Sequence, residues 1–408
     1  NGEKVNTVDA IWLRSKNEIK DEEYEEFYKF QSNDYEGPLM RMHFSADAPL
    51  EINSLLFVPK RNMEKMGMFR NENKVALHCR KVLIDPEPKS LFPEWLRFLK
   101  GVVDSSDLPL NVSREVMQDS ELLRKLNQVL TKRFLRFLNE QSKKESETYL
   151  EFWKEFGILI KEGAATDFTY KEDLAKLLRF ESTALEPGKL TGLDEYIDRM
   201  AKDQKEILFL FGKSRESIEA GPYLEALKAR SLEVLLLTEP VDEYVMQSVR
   251  EYKEKKIISA DSEELKLEKL DEEPEGKAMN KKDTKSLCKW LKETLKDKVS
   301  EVETGERLID SPVCIVGADG MGGASARRVM KMMQGGDDAM PTSPVKLQVN
   351  QRHPIIKGLS NLVKADKDTA ELIANQLLDN ALATANLLDD PREMIARSYQ
   401  AIEKLANQ

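Results

Sequence analysis

Short apolar-rich runs separated by polar turns dominate the first hundred residues: Met40–Phe44, Ile52–Val58 and Val75–Ile84. Runs of that length, bounded by turn residues, predict a sheet. Trp12 and an acidic run, Asp21–Glu26, precede it, and Leu91–Leu99 predicts a short helix. From about Ser113 to Ser142 the period changes. Leu123, Leu126, Leu130, Phe134 and Phe137 recur at three- and four-residue steps, with Arg124, Lys125, Lys132, Arg133 and Arg136 between them, the pattern of one long amphipathic helix. Helical patterns continue over Glu147–Phe156 and Glu172–Arg179.

An alternation follows. Apolar Ile207–Phe211, a helix from about Ser214 to Arg230, apolar Leu232–Leu237, a helix from about Val241 to Tyr252 and a strand near Lys256–Ser259 make a βαβαβ unit with a small parallel sheet. Asp261–Lys277 is acid-rich, holds Pro274 and Gly276, and reads as a solvated boundary. Beyond it come a helix over about Lys281–Leu295, strands over Val299–Arg307 and Val313–Val316, and a helix from about Ala324 to Gln334. Two amphipathic helices end the chain. The first, Ala370–Leu388, sets Leu372, Ile373, Leu377, Leu378, Ala381, Leu382, Ala385 and Leu388 on one stripe. The second starts at Asp390-Pro391-Arg392-Glu393, a cap, a first-turn proline and an acid, and carries Ile395, Tyr399, Ile402 and Leu405. Such a pair needs a surface to cover it, either its own domain or a second copy in a four-helix bundle. The fold class is mixed α/β.

The length of 408 residues exceeds what one core usually holds and implies several domains. Hydrophobic residues make up 40% and charged residues 33%, a charge-rich globular composition in which no apolar run approaches a bilayer span. The net charge of -10 disfavours a broad grip on nucleic acid or anionic lipid, and the cations of the long helix read as a solvated face. Three scattered cysteines, Cys79, Cys288 and Cys314, and three scattered histidines have no metal-ligand spacing and argue for a reducing compartment. The chain opens Asn1-Gly2-Glu3, with no Met and no leader, and so reads as a piece of something longer.

Three segments carry candidate chemistry. Met63, Met66, Met68 and Phe69 crowd a loop between two strands, which either folds back as a lid or offers an apolar surface to a partner. Gly212–Arg215, with one glycine, misses the dinucleotide fingerprint, so a packing or docking module is the better reading, with a nucleotide-binding enzyme as the alternative; Gly317–Gly323 misses it too and reads as a plain strand-to-helix turn, with phosphate binding as the alternative. Last, Asp107-Leu108-Pro109-Leu110-Asn111-Val112-Ser113-Arg114 leads into the long helix. An arginine in a first turn, where the macrodipole is positive, needs a justification. With Gln118 one turn on, Arg114 could present a guanidinium and an amide to an external anion, as an arginine finger does; the alternative is an ordinary ion pair with Glu115 or Asp119.

Leu96 through Glu115, LRFLKGVVDSSDLPLNVSRE, is similar, nearly residue for residue, to the signature of the heat shock protein 90 chaperone family. Ala10-Ile11-Trp12, Glu22–Tyr28, Leu174–Phe180, Leu235–Tyr244 and Asn350–Ile356 extend the resemblance along the chain. It implies a middle domain over 1–262, comprising a large αβα sandwich over 1–140, a helical connector over 141–200 and the small βαβαβ part over 201–262. An acidic linker over 263–278 and a C-terminal α/β domain over 279–408 would follow, ending in a dimerisation hairpin. ATP and Mg would be bound by an N-terminal domain preceding Asn1, with Arg114 reaching the γ-phosphate and Asn111 and Gln118 ordering the loop. Trp12, Met63, Met66, Met68 and Phe69 would contact non-native client proteins. Leu377, Leu378, Ala381, Leu382, Ala385, Ile395, Tyr399 and Ile402 would form the homodimer bundle. The resemblance implies neither nucleic-acid binding nor membrane insertion, and competing readings are a nucleotide-binding α/β enzyme and a purely structural scaffold. Leu405-Ala406-Asn407-Gln408 lacks the acidic tail of cytosolic eukaryotic members, which points to the mitochondrial matrix or, alternatively, a bacterial cytoplasm. Gly335–Pro341 stands where relatives carry an amphipathic helix, and Met340 would lie on it.

Overall fold

The computed structural model describes residues 10–67, 70, 74–108, 121–144, 146–268, 270, 276–317, 344–388 and 390–407. The helix expected over Ala324–Gln334, the glycines after Gly317 and the Gly335–Pro341 segment lie outside them. The chain divides into two compact units, Asn1–Arg179 and Phe180–Gln408.

In the first unit the acidic run, to which the sequence pattern assigned no element, is the opening of helix α1, Asp21–Ser32. Asp21, Glu22 and Glu23 occupy its first turn, where the helix dipole favours anions, and the Glu23 carboxylate accepts the Lys20 amide at 2.9 Å. Strands β1 (Pro38–Ala46), β2 (Ile52–Pro59), β3 (Lys74–Cys79), β4 (Val82–Asp85) and β5 (Lys100–Ser105) form one sheet in the order β1-β2-β5-β3-β4. Val75–Ile84, expected as one strand, is a hairpin, because Arg80 and Lys81 both take positive φ, 50° and 70°, and turn the chain in two residues. Leu91–Leu99 forms only a 3-10 turn at Glu94–Leu96. Helices α2 (Glu121–Lys144), α3 (Ser146–Thr166) and α4 (Lys171–Ala175) follow.

Alternation along β2 splits its side chains between two layers. Leu55 and Phe57 meet Tyr24 and Tyr28 of α1, while on β1 the Phe44 ring lies under the Arg133 guanidinium of α2 at 5.3 Å. The sandwich closes on aromatic contacts. Phe98 meets Phe134 of α2 and Phe152 and Phe156 of α3, with ring centroids 4.7–6.2 Å apart.

In the second unit, β6 (Glu181–Ser182), α5 (Leu193–Arg199), β7 (Glu206–Phe211), α6 (Arg215–Glu219), α7 (Glu225–Lys228), β8 (Leu235–Leu237), α8 (Pro240–Val249), β9 (Glu251–Tyr252) and β10 (Lys255–Ser259) build a sheet of order β6-β8-β7-β10-β9. β7 runs parallel to β8 and β10, the βαβαβ unit the alternation predicts. The single helix expected over Ser214–Arg230 is broken at Gly221-Pro222, where the proline has no N–H to give. Next come α9 (Lys281–Leu295), β11 (Val299–Thr304), β12 (Val313–Val316), β13 (Val345–Val349), α10 (Pro354–Ala365), α11 (Lys367–Thr384) and α12 (Arg392–Ala406). β13 sits at the centre of a three-stranded sheet. A continuous apolar core runs from Leu208 of β7 to Ala385 after α11.

At Gly101 both the backbone conformation and a close backbone approach require glycine. Gly101 on β5 has φ +131°, and a Cβ there would stand 2.1 Å from the Leu55 carbonyl oxygen. Gly101→Ala is expected to cost about 3 kcal/mol, from backbone strain plus displacement of β2. Denaturant unfolding measures it, and a loss below about 1 kcal/mol would show that the sheet relaxes freely.

Candidate functional site

Asn111, Arg114 and Gln118 lie outside the described residues, as do Met68, Phe69 and the side chain of Met66. β5 runs into Asp107 and Leu108, whose positions are set by the Glu51 amide donating to Asp107 Oδ2 at 2.8 Å and by the buried Cys79 thiol donating to the Leu108 carbonyl at 2.9 Å. Burial pushes the Cys79 thiol pKa up, so it stays protonated and remains a donor. On the far side α2 begins at Glu121, whose carboxylate pairs with Lys125 at 2.9 Å. Asp107 and Leu108 on one side of 109–120 are thus tied to Glu51 and Cys79, and Glu121 on the other side opens α2.

Trp12 is not a free surface residue. Its ring lies 5.1 Å from His78 and 5.8 Å from Phe27, and its Nε1–H donates at 3.1 Å to Oδ2 of Asp104 on β5, a carboxylate 3% exposed. The same oxygen accepts the Lys81 amide at 2.9 Å. Burial lowers the pKa of His43, so its imidazole is neutral. Nε2–H then donates to the Trp12 carbonyl at 3.2 Å, which leaves Nδ1 to accept the Tyr24 hydroxyl at 2.8 Å. His78 is shifted down by burial as well. Protonating either ring would put a cation into a space built for a neutral one.

Met63 opens the 3-10 turn Met63–Met66 and is 41% exposed. Asn62 caps that turn by accepting the Glu64 amide, and Asn62 gives its own backbone and side-chain N–H groups to Glu155 of α3, each at 3.0 Å. Beneath it sits Arg97, 9% exposed. Its guanidinium forks onto both carboxylate oxygens of Glu64 (2.9 and 3.1 Å) and both of Glu162 (3.0 and 2.8 Å), and Nη1 also reaches the Glu94 carbonyl at 3.1 Å. Sequence reading missed this clamp. Its signal was an arginine inside the apolar run Leu96–Leu99, since a buried arginine demands acids, but nothing in the spacing says which.

The terminal helices divide their residues. Leu377, Leu378, Ala381 and Ala385 lie in the core of their own unit, with Leu382 packed against it. Ile395, Tyr399, Ile402 and Leu405 on α12 are 45%, 68%, 57% and 72% exposed, and α12 buries no side chain among the described residues.

The β7–α6 turn is spent on packing. A Cβ on Gly212 would meet Ile218 at 2.5 Å, Ser214 caps α6 through the Ser217 amide, and Arg215 pairs with Glu181 and Glu219 at 2.8 Å each. Among the described residues no group of three or more His, Cys, Asp or Glu side chains is placed to hold a metal, and no helix is long and apolar enough to cross a membrane.

The family model described as "Hsp90 protein" matches residues 1–408. The chain is 47% identical over 403 residues to a chaperone protein HtpG of Desulfitobacterium hafniense, covering 98% of this chain and 65% of that protein. It is 46% identical to one of Desulfotalea psychrophila, covering 99% and 66%. It is 38% identical to a heat shock protein 75 kDa, mitochondrial, of Bos taurus, covering 99% and 59%. The chain thus spans about two thirds of the length of the bacterial relatives, and with its whole length matched it belongs to the Hsp90 chaperone family.

Proposed function

We propose that this chain is the part of an ATP-driven Hsp90 chaperone that supplies a catalytic arginine in trans to a nucleotide, dimerises through α12 and offers apolar surface to non-native proteins. What supports the first element is that the described residues on either side of 109–120 are fixed, Asp107 and Leu108 by Glu51 and Cys79 and Glu121 as the start of α2. A catalytic loop must be held by rigid elements to place a guanidinium within bonding distance of a phosphate. ATP and Mg would be bound by a part that the longer relatives have and this chain does not cover. Arg114 would donate to γ-phosphoryl oxygens as charge develops on them, Gln118 would add an amide donor, and Asn111 would order the segment. In the full-length protein Arg114→Ala is expected to lower ATP turnover about 1,000-fold with nucleotide affinity nearly unchanged. Steady-state hydrolysis and calorimetry measure the two quantities, and undiminished turnover would refute the role.

Dimerisation rests on α12, whose four apolar side chains face water on a helix that otherwise follows a core-seeking pattern. Burying each against a second copy is worth roughly 1.5–3 kcal/mol. Leu377, Leu378, Ala381 and Ala385 act from behind, holding the platform on which α12 sits. Ile402→Asp combined with Tyr399→Ser should give a monomer by light scattering with circular dichroism unchanged. A persistent dimer would place the main interface elsewhere.

Client contact is the reading for Met63 and the residues that follow it, with Trp12 lending an edge of its ring. Methionine adapts to many surfaces, and the Arg97 clamp gives this flexible residue a stiff base. Arg97→Met would leave Glu64 and Glu162 facing each other without a cation, an expected loss of about 3 kcal/mol. Equilibrium urea unfolding tests this, and a neutral result would mean the clamp does not stabilise the turn. As for location, the relatives at 47% and 46% identity are bacterial and the bovine protein at 38% is named mitochondrial, so the similarity reaches both compartments.

A further inference from the structure

Within the second unit, the connection 305–312 between β11 and β12 carries two reciprocal charged clamps. The carboxylate of Glu225, at the start of α7, accepts the backbone amides of three consecutive residues: Ile309 at 2.8 Å, Asp310 at 2.9 Å and Ser311 at 3.1 Å, together with the Ser311 hydroxyl. In the opposite direction Arg307, 7% exposed, donates to the carbonyls of Ala260, Ser262 and Leu265 at 2.5–2.7 Å, just past the end of β10. The carbonyls of the same connection are also used. Asn350, 5% exposed, gives its side-chain N–H groups to Ile309 O (2.9 Å) and Ser311 O (3.1 Å) and its amide to Pro312 O (2.8 Å). A short backbone splice completes the set. Gly317 N–H donates to Asp261 O at 2.8 Å and Glu263 N–H to Gly317 O at 3.0 Å.

These bonds join the β6–β10 sheet to the β11–β13 sheet, which also share one apolar core. The two kinds of contact differ in what they fix. Apolar burial is non-directional and tolerates small sliding, whereas hydrogen bonds to a fixed carboxylate or guanidinium weaken steeply with angle and distance. We propose that the 305–312 connection is the joint that sets the angle between the two sheets, with Glu225 and Arg307 as its pins and the apolar core as the bearing on which they would otherwise slide. The angle at which α11 and α12 are carried is then a property of a few polar atoms.

The test is a distance distribution within one chain. Spin labels go on Lys213→Cys, beside β7, and Lys289→Cys, on α9, with Cys288→Ser to remove the one native thiol that is not buried. Labelled chain is diluted with unlabelled chain so that only intramolecular distances are read by pulsed electron spin resonance. The unsubstituted joint should give one narrow distribution, and Glu225→Ala and Arg307→Lys should each broaden it about twofold or add a second maximum. Hydrogen exchange at the 309–311 amides should quicken about 10- to 100-fold in Glu225→Ala. Faster exchange with an unchanged distribution overturns the proposal, because the pin is then gone and the angle kept. A broad distribution in the unsubstituted chain overturns it too. Should Glu225→Ala fail to fold, Glu225→Gln, which keeps an acceptor but loses the charge, gives the same two readings.

Discussion

A guanidinium or carboxylate withdrawn from water costs several kcal/mol unless fixed groups meet it, and the long-range joints of this chain are built around that constraint. In the first unit Arg97 stands between Glu64 and Glu162 and ties the Met63 turn, the Glu94–Leu96 turn and α3 to one point. In the second unit Arg307 and Glu225 do the same for two sheets. Neither buried arginine could be moved by an ångström without leaving donors unmet, so the elements they touch are fixed in register as well as in proximity. The apolar core supplies most of the burial, and the charges decide which of many similar packings is occupied.

That division explains what could be read from the sequence. Periodicity located the β7–β10 alternation, the α9 helix with the bounds expected, and the stripes of α2 and α11, because each is a local pattern tied to burial. β13 and α10 were overlooked although both had local signals. Val345-Lys346-Leu347-Gln348-Val349 alternates strictly, and His353 followed by Pro354 is a cap and a first-turn proline, the His353 side chain accepting the Ile355 amide at 3.1 Å. The hairpin at Arg80-Lys81 was illegible for a different reason. Two bulky cationic residues at positive φ are uncommon, and here the Lys81 amide is held by Asp104, more than twenty residues away. Which acids meet Arg97, and which groups meet Glu225 and Arg307, could not be read from spacing, since those partners lie between 33 and 86 residues off.

The terminal helices show where pattern stops and structure must decide. Amphipathicity states that a face is buried, not by what. α11 and α12 have similar stripes, yet α11 spends Leu377, Leu378 and Ala381 on its own core while α12 leaves Ile395, Tyr399, Ile402 and Leu405 in water. The small residues account for part of the difference. Alanines at 370, 374, 381 and 385 let α11 approach its neighbours closely, and α12 has no such run on its apolar side.

The same economy of rigid supports under exposed residues recurs across both units. Asp107 and Leu108, just past β5, are held by Glu51 and Cys79, Met63 sits on a turn held by Asn62 and Arg97, and α12 rides on a helix sunk in the core. In each case the residues expected to meet something else are carried by groups that meet only their own chain. A chaperone gains from that arrangement because each surface must stay adaptable while the mount beneath it stays firm. Flexible side chains on stiff mounts satisfy both requirements, since the conformational freedom is confined to rotamers and is not spent in the backbone. Trp12 is the exception that tests the rule. It is bonded through its own ring nitrogen to Asp104 and through its carbonyl to His43, so it can serve an outside surface only with the edge left over, or by giving those bonds up.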